Sequence, residues 1–198
     1  MEWCIPIQTF QVEHVQLGTV HRGMKAIVPL AYKDSDLQFP ALSVLLPTLT
    51  VKSYDPASGR LVLSLAADSG PVATQTLYKL QTLQDMVLNA VNLNSRAWFP
   101  GIQKRAADLR QGFQPMILNQ ELHLYCPIYE AMAQPIPFFT AGSWIQGKPK
   151  SGSLKAGMRV RIAFRLYGIS FHINPGSKQE WSGKFRLQHK IIGVLVSA

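Results

Sequence analysis

The 198 residues suit a single domain with a sizeable core, and 47% hydrophobic against 16% charged residues excludes an intrinsically disordered chain. No apolar run reaches the roughly 18 residues of a membrane span, and the start, Met1-Glu-Trp-Cys-Ile-Pro6, lacks the basic-then-apolar order of a signal peptide; the expectation is a soluble intracellular chain, in cytoplasm or nucleus, with no membrane partner. Two cysteines, Cys4 and Cys126, are too few for a disulfide framework and read as reduced core thiols, while a net charge of +9 points to a polyanionic partner.

From Ile5 to Tyr32 short apolar stretches broken by Gly18, Gly23 and Pro29 suggest small strands and turns. Residues 41–52 read as extended structure interrupted at Pro47, Asp55-Pro-Ala-Ser-Gly59 as a turn, and 60–66 as a strand with Leu61, Leu63 and Leu65 on one side, so the three form a hairpin. The spacing of Leu77, Leu80, Leu83, Val87, Ala90 and Val91 predicts an amphipathic helix over 76–94, with Thr74 or Thr76 as cap. A shorter helix is expected over 102–111, with Gly112 as its stop, and a strand over 122–128. Pro127, Pro135 and Pro137 keep the chain irregular as far as a loop, 147–157, whose glycines, serines and lysines read as flexible and exposed.

Charge divides the chain. Residues 1–95 carry six basic and seven acidic side chains; residues 96–198 carry fourteen and four. Between Lys148 and Lys190 there are ten basic residues against Glu180 alone. Within that stretch Arg159, Arg161, Arg165 and Tyr167 alternate with Val160, Ile162, Phe164 and Leu166, and a period of two places the arginines on one sheet face. The parity reverses at Gly168, as a bulge would produce. A second strand alternates Lys184, Arg186, Gln188 and Lys190 with Phe185 and Leu187, and its tail, 191–196, is apolar on both sides and should be buried. Paired as a hairpin, the two strands expose a cationic strip. Crowding like charges across a sheet costs roughly 0.2–1 kcal/mol per pair, which a solubility role does not require, whereas phosphate binding needs one sign of charge on one face. Lys148 and Lys150 extend the same charge into the loop. Of the nearby aromatics Trp98, Tyr125, Trp144, Tyr167 and Trp181, Tyr167 and Trp181 are the better candidates for stacking on bases.

Other motifs fail on inspection. Gly142 to Lys148 has the spacing of a phosphate-binding loop, but Pro149 stands where a magnesium-binding hydroxyl belongs. His14, His21, His123, His172 and His189 have no ligand spacing, His123 and Cys126 fall on opposite parities, and no acidic pair offers acid–base chemistry. No metal, cofactor or enzymatic activity is expected.

The order of elements, with Leu46-Pro-Thr-Leu, Leu83-Gln-Asp-Met-Val-Leu, Ser95-Arg-Ala-Trp98, Phe113-Gln-Pro-Met-Ile, Arg159 to Gly168 and Phe185-Arg-Leu-Gln-His-Lys-Ile-Ile192, resembles the single-stranded-DNA-binding proteins of large eukaryotic DNA viruses and their phage relatives. The resemblance implies an OB-fold-like Greek-key β-barrel, here a mainly β chain with one or two helices. Residues 41–198 would form the barrel core and 1–40 an N-terminal extension or added strands of one domain. It implies a non-enzymatic coat on single-stranded DNA in replication, recombination or repair within a viral replication compartment, with replication proteins as partners; the segment before Ala41 has no counterpart in it and is expected either to extend the barrel or to mediate self-association. It supports Arg159, Arg161, Arg165, Lys184, Arg186 and Lys190 as backbone contacts and Trp98 as a stacking residue. An acidic tail is common in that functional class, whereas this chain ends Gly193-Val-Leu-Val-Ser-Ala198. A structural β-sandwich with a basic face and an RNA-binding protein are the rival readings.

Overall fold

The computed structural model describes residues 3–22, 25–35, 37–100, 104–126, 138–140, 143–144, 154–174 and 180–197. In chain order the strands are β1 (Ile5–Pro6), β2 (Val15–Leu17), β3 (Ala26–Asp34), β4 (Leu37–Phe39), β5 (Leu42–Asp55) and β6 (Arg60–Ser64). Helices α1 (Pro71–Trp98) and α2 (Ala106–Gly112) follow. Then come β7 (Phe113–Gln114), β8 (Ile117–Leu118), β9 (Glu121–Tyr125), β10 (Phe138–Thr140), β11 (Ser143–Trp144), β12 (Arg159–Ile173) and β13 (Trp181–Ser197). Among the described residues the chain is mainly β with two α-helices, as its patterning implies.

β5 and β6 form the expected hairpin, burying Leu42, Val44, Leu46, Leu61 and Leu63 completely. Asp55 shapes the turn by accepting bonds from the Ala57 N–H and the Ser58 hydroxyl, which hold its carboxyl below the usual carboxylate range. Contrary to the expected interruption, β5 runs through Pro47. Leu46 and Pro47 together oppose Ile162 of β12 as a bulge, the place where a strand tolerates a residue that cannot donate.

Helix α1 is longer at both ends than its periodicity implies. Pro71 occupies the first turn, and Gly70, at φ 97°, takes the cap position expected of Thr74 or Thr76. Thr76 instead lies buried one turn in, its hydroxyl donating to the Val72 carbonyl at 2.8 Å. Leu80, Leu83, Val87 and Val91 face the core; among them Gln84 accepts from the N–H groups of Met116 and Ile117 at 2.7 and 3.1 Å, fixing the start of β8. At the end of α2, Gly112 is required by contact: a Cβ there would lie 2.0 Å from the Gly183 carbonyl. Ile102, the first residue expected in this helix, lies outside the described residues.

The long hairpin of β12 and β13 organises the sheet. Up to Leu166, β12 pairs with β5; from Gly168 it pairs with β3. The register shift between Leu166 and Gly168 falls where the parity reversal put it, and the structure supplies its cause. Gly168 has φ 155°, and a Cβ on it would stand 2.2 Å from the Val28 carbonyl, so only glycine lets β3 approach. The residues before Ala41 therefore add strands: β3 extends the sheet beside β12, β1 pairs with β5, and Lys79 of α1 donates to the carbonyls of Gln8 and Phe10.

The main path of strands runs β11-β10-β13-β12-β5-β6-β9-β8 and is open. The closed ring of the expected barrel is thus not formed by the described ladders. Where β9 passes β13, a side chain replaces a ladder: the Tyr125 N–H donates to Nε2 of His189 at 2.9 Å. The tail of β13 also corrects the reading from sequence. Ile191, Val194 and Val196 are buried, but Leu195 is exposed because the register shift between Ile191 and Gly193 leaves Ile192 as an extra residue and reverses the strand's parity. The loop expected to be exposed is packed at its end, where Leu154 is buried and Gly157 donates to the Val51 carbonyl; Lys148, Lys150 and, apart from Ser143–Trp144 of β11, the phosphate-loop-like segment fall outside the described residues.

Candidate nucleic-acid interface

On the core side of the hairpin Val160, Ile162, Phe164, Leu166, Phe185 and Leu187 are buried. The other parity carries Arg159, Arg161, Arg165 and Tyr167 on β12 and Lys184, Arg186, Gln188 and Lys190 on β13. Period-two alternation thus places all six cations on the outward face of two adjacent strands. Arg165 and Lys190 are direct cross-strand partners, and Ser43, Thr48 and Thr50 of β5 stand opposite Arg165, Arg161 and Arg159. The Arg165 guanidinium lies 5.7 Å from the centre of the Tyr167 ring, and Arg161 Nε donates to the Leu46 carbonyl at 3.1 Å, satisfying an acceptor at the bulge.

Beyond Gly168 the outward face becomes a cleft of about 440 Å³ whose polar lining is Lys25, Gln114, Ser170, His172, Lys184 and Arg186. Ser170 and Arg186 oppose each other, and the Ser170 hydroxyl lies 3.4 Å from the Gln188 amide oxygen. A second depression, about 210 Å³, lies between β9 and β13 and includes Arg60, Gln114, His123, Tyr125, Arg186 and His189. Burial pushes His189 down to about 4, so its imidazole is neutral and can accept the Tyr125 N–H. His123 is lowered by burial and by Arg60, whose Nη2 sits 2.9 Å from Nδ1.

Two of the residues expected to stack on bases are corrected. Trp181 is 2% exposed, its indole N–H donates to the Lys184 carbonyl at 2.9 Å, and its ring packs on Phe99, Phe171 and Phe185. Trp98 is buried edge-to-face against Phe171, and its carbonyl accepts from Arg22. Trp181 begins β13 with inward parity, so its ring enters the core. Exposed aromatic surface on the basic side comes from Tyr167 and Tyr125.

Lys25, Arg60, Gln114 and His172 were invisible to the charge analysis. The first two belong to the electrically balanced half of the chain, and only strand pairing brings them beside Lys184 and Arg186. The signal in sequence was indirect: Arg60 opens a strand of the opposite hairpin, directly across from Tyr125.

Cys4 and Cys126 are not joined by a disulfide; Cys4 is half-exposed, not in the core. The buried thiol of Cys126 is pushed up to about 12, which keeps it protonated and a poor nucleophile. Among the described residues no three His, Cys, Asp or Glu side chains gather as a metal site, and no helix is long and apolar enough to cross a membrane. No protein-family model, curated protein or solved structure matches this chain.

Proposed function

We propose that this chain binds single-stranded DNA with little regard to sequence, coating or protecting it in replication, recombination or repair. The observation that carries the reading is the set of six cations from two adjacent strands on one outward face, in a stretch of sequence with a single acid between Lys148 and Lys190. Tyr167 and Tyr125 supply π surface for bases. The resemblance to viral single-stranded-DNA-binding proteins supports the same reading, and a role beside replication proteins in cytoplasm or nucleus follows from it. Binding needs no metal or catalytic group.

The test is an anisotropy titration of a labelled poly-pyrimidine strand at several salt concentrations. Tryptophan quenching is a poor reporter because Trp98 and Trp181 are buried. Replacing Arg159, Arg161, Arg165, Lys184, Arg186 and Lys190 together by glutamine is expected to reduce the log–log salt slope by about 1.4 or more, since each phosphate contact on a single strand contributes about 0.7. An equally tight variant with an unchanged slope overturns the reading, as does assembly of the wild-type chain into defined particles with no affinity for oligonucleotide. Competition with matched RNA decides which nucleic acid is preferred.

A further inference from the structure

The two depressions on the basic side adjoin and together outline a groove. Arg186 and Gln114 line both of them, and they are neighbours because β7 pairs with β13 in register, Gln114 beside Arg186. We propose that the bound strand lies in this groove, crossing β13 from Lys25 and His172 at one end to Arg60 and Tyr125 at the other, and does not follow the arginine row of β12. The proposal rests on the binding function above and names the path.

Three features of the structure select this path. Cations occur along its length: Lys25 and Lys184 at one end, Arg186 in the middle and Arg60 at the far end. Along the β12 row the surface is different. A depression of about 270 Å³ there is lined by Leu45, Ala163, Gly193, Val194 and Leu195, with Arg161 as its charged wall. That lining offers a phosphate backbone one cation, against four along the groove.

The second feature is the gap in the sheet. β13 has β12 along one side, but on the other it pairs, among the described residues, only at Phe185–Arg186 with β7 and at 194–196 with β10. Between those contacts His189 reaches Tyr125, and the groove passes over this seam. The third is preorganisation of the far end. The Arg60 guanidinium is held by two contacts to His123 Nδ1, 2.9 and 3.3 Å, while His123 Nε2 lies 3.5 Å from the Glu121 carboxylate. Tyr125, half-exposed and cross-strand from Arg60, presents a ring beside that charge, so a phosphate and its base can be met at one position.

The experiment is the same salt-dependent titration on three proteins: wild type, Lys25→Ala/Arg60→Ala, and Lys33→Ala/Arg96→Ala, which removes two exposed charges outside the groove. The groove variant is expected to lose about 1.4 from the salt slope and the control none. Tyr125→Ala is expected to weaken binding by about 5- to 100-fold at constant slope. A groove variant that keeps the wild-type slope, or a control that loses as much, overturns the path while leaving the binding function intact. Absence of any binding by the wild-type chain removes both. Thermal unfolding of each variant at the wild-type midpoint confirms that exposed side chains alone were changed.

Discussion

The two halves of the β12–β13 hairpin share one alternating pattern yet present different surfaces. Before Gly168 the outward side chains stand on a continuous sheet of β5, β12 and β13, where arginines flank an apolar patch at Leu45, Ala163 and Leu195. After it, β12 turns to β3 and the far edge of β13 pairs, among the described residues, with just the two residues of β7, so similar polar side chains line a cleft over a layer of Phe171, Trp181 and Phe185. Alternation decides which side a residue faces; the neighbouring strands decide whether that side is a wall or a trough.

The comparison breaks first at the aromatic layer beneath the cleft. Trp181→Ala is expected to cost about 3–5 kcal/mol in chemical denaturation, as for other buried Trp truncations. A variant of unchanged stability and weakened oligonucleotide binding would show that Trp181 serves the ligand and not the core. The seam between β9 and β13 gives the next largest effect. His189 has a folded pKa near 4, below its unfolded value of about 6.5, so the stability that its neutral form contributes is complete above pH 6.5 and is lost as pH falls towards 4. Integrated over that window the loss is about 3 kcal/mol. Denaturation midpoints measured from pH 7 to pH 4 are expected to fall accordingly, and His189→Gln, which keeps an acceptor without a titrating group, is expected to flatten the decline; an equally steep decline in that variant refutes the role of His189. The smallest effect belongs to the arginine wall. Tyr167→Ala removes the ring under Arg165 and is expected to cost about 0.5–1 kcal/mol, whereas Tyr167→Phe keeps the π face and stays at the wild-type midpoint.

Much of the local structure was legible because it follows from short-range rules. The Asp55–Gly59 turn, the apolar stripe of α1, the alternation of β12 and β13 and the bulge at Gly168 all express period and turn chemistry within about twenty residues. The failures share a cause. Pro47 was read as a break because the partner that accommodates it, Ile162, lies far along the chain. Trp181 and Trp98 were offered as base platforms because exposure is not a property of a residue's neighbours in sequence; the rings that cover them, Phe99, Phe171 and Phe185, converge from three elements. The barrel implied by resemblance was not reproduced as a closed ring, since closure depends on how β9 meets β13, and there one histidine stands in for a ladder.

What the sequence by itself determined is the mainly β character, the segregation of charge and the side of the hairpin on which each cation emerges, because a strand's two-residue repeat is dictated by backbone geometry alone. The tertiary structure decided which of those cations border a groove, and it brought Lys25 and Arg60 to them from an electrically balanced part of the chain. Strand pairing across more than a hundred residues sets that arrangement, through close approaches such as β3 over Gly168 that no local pattern encodes.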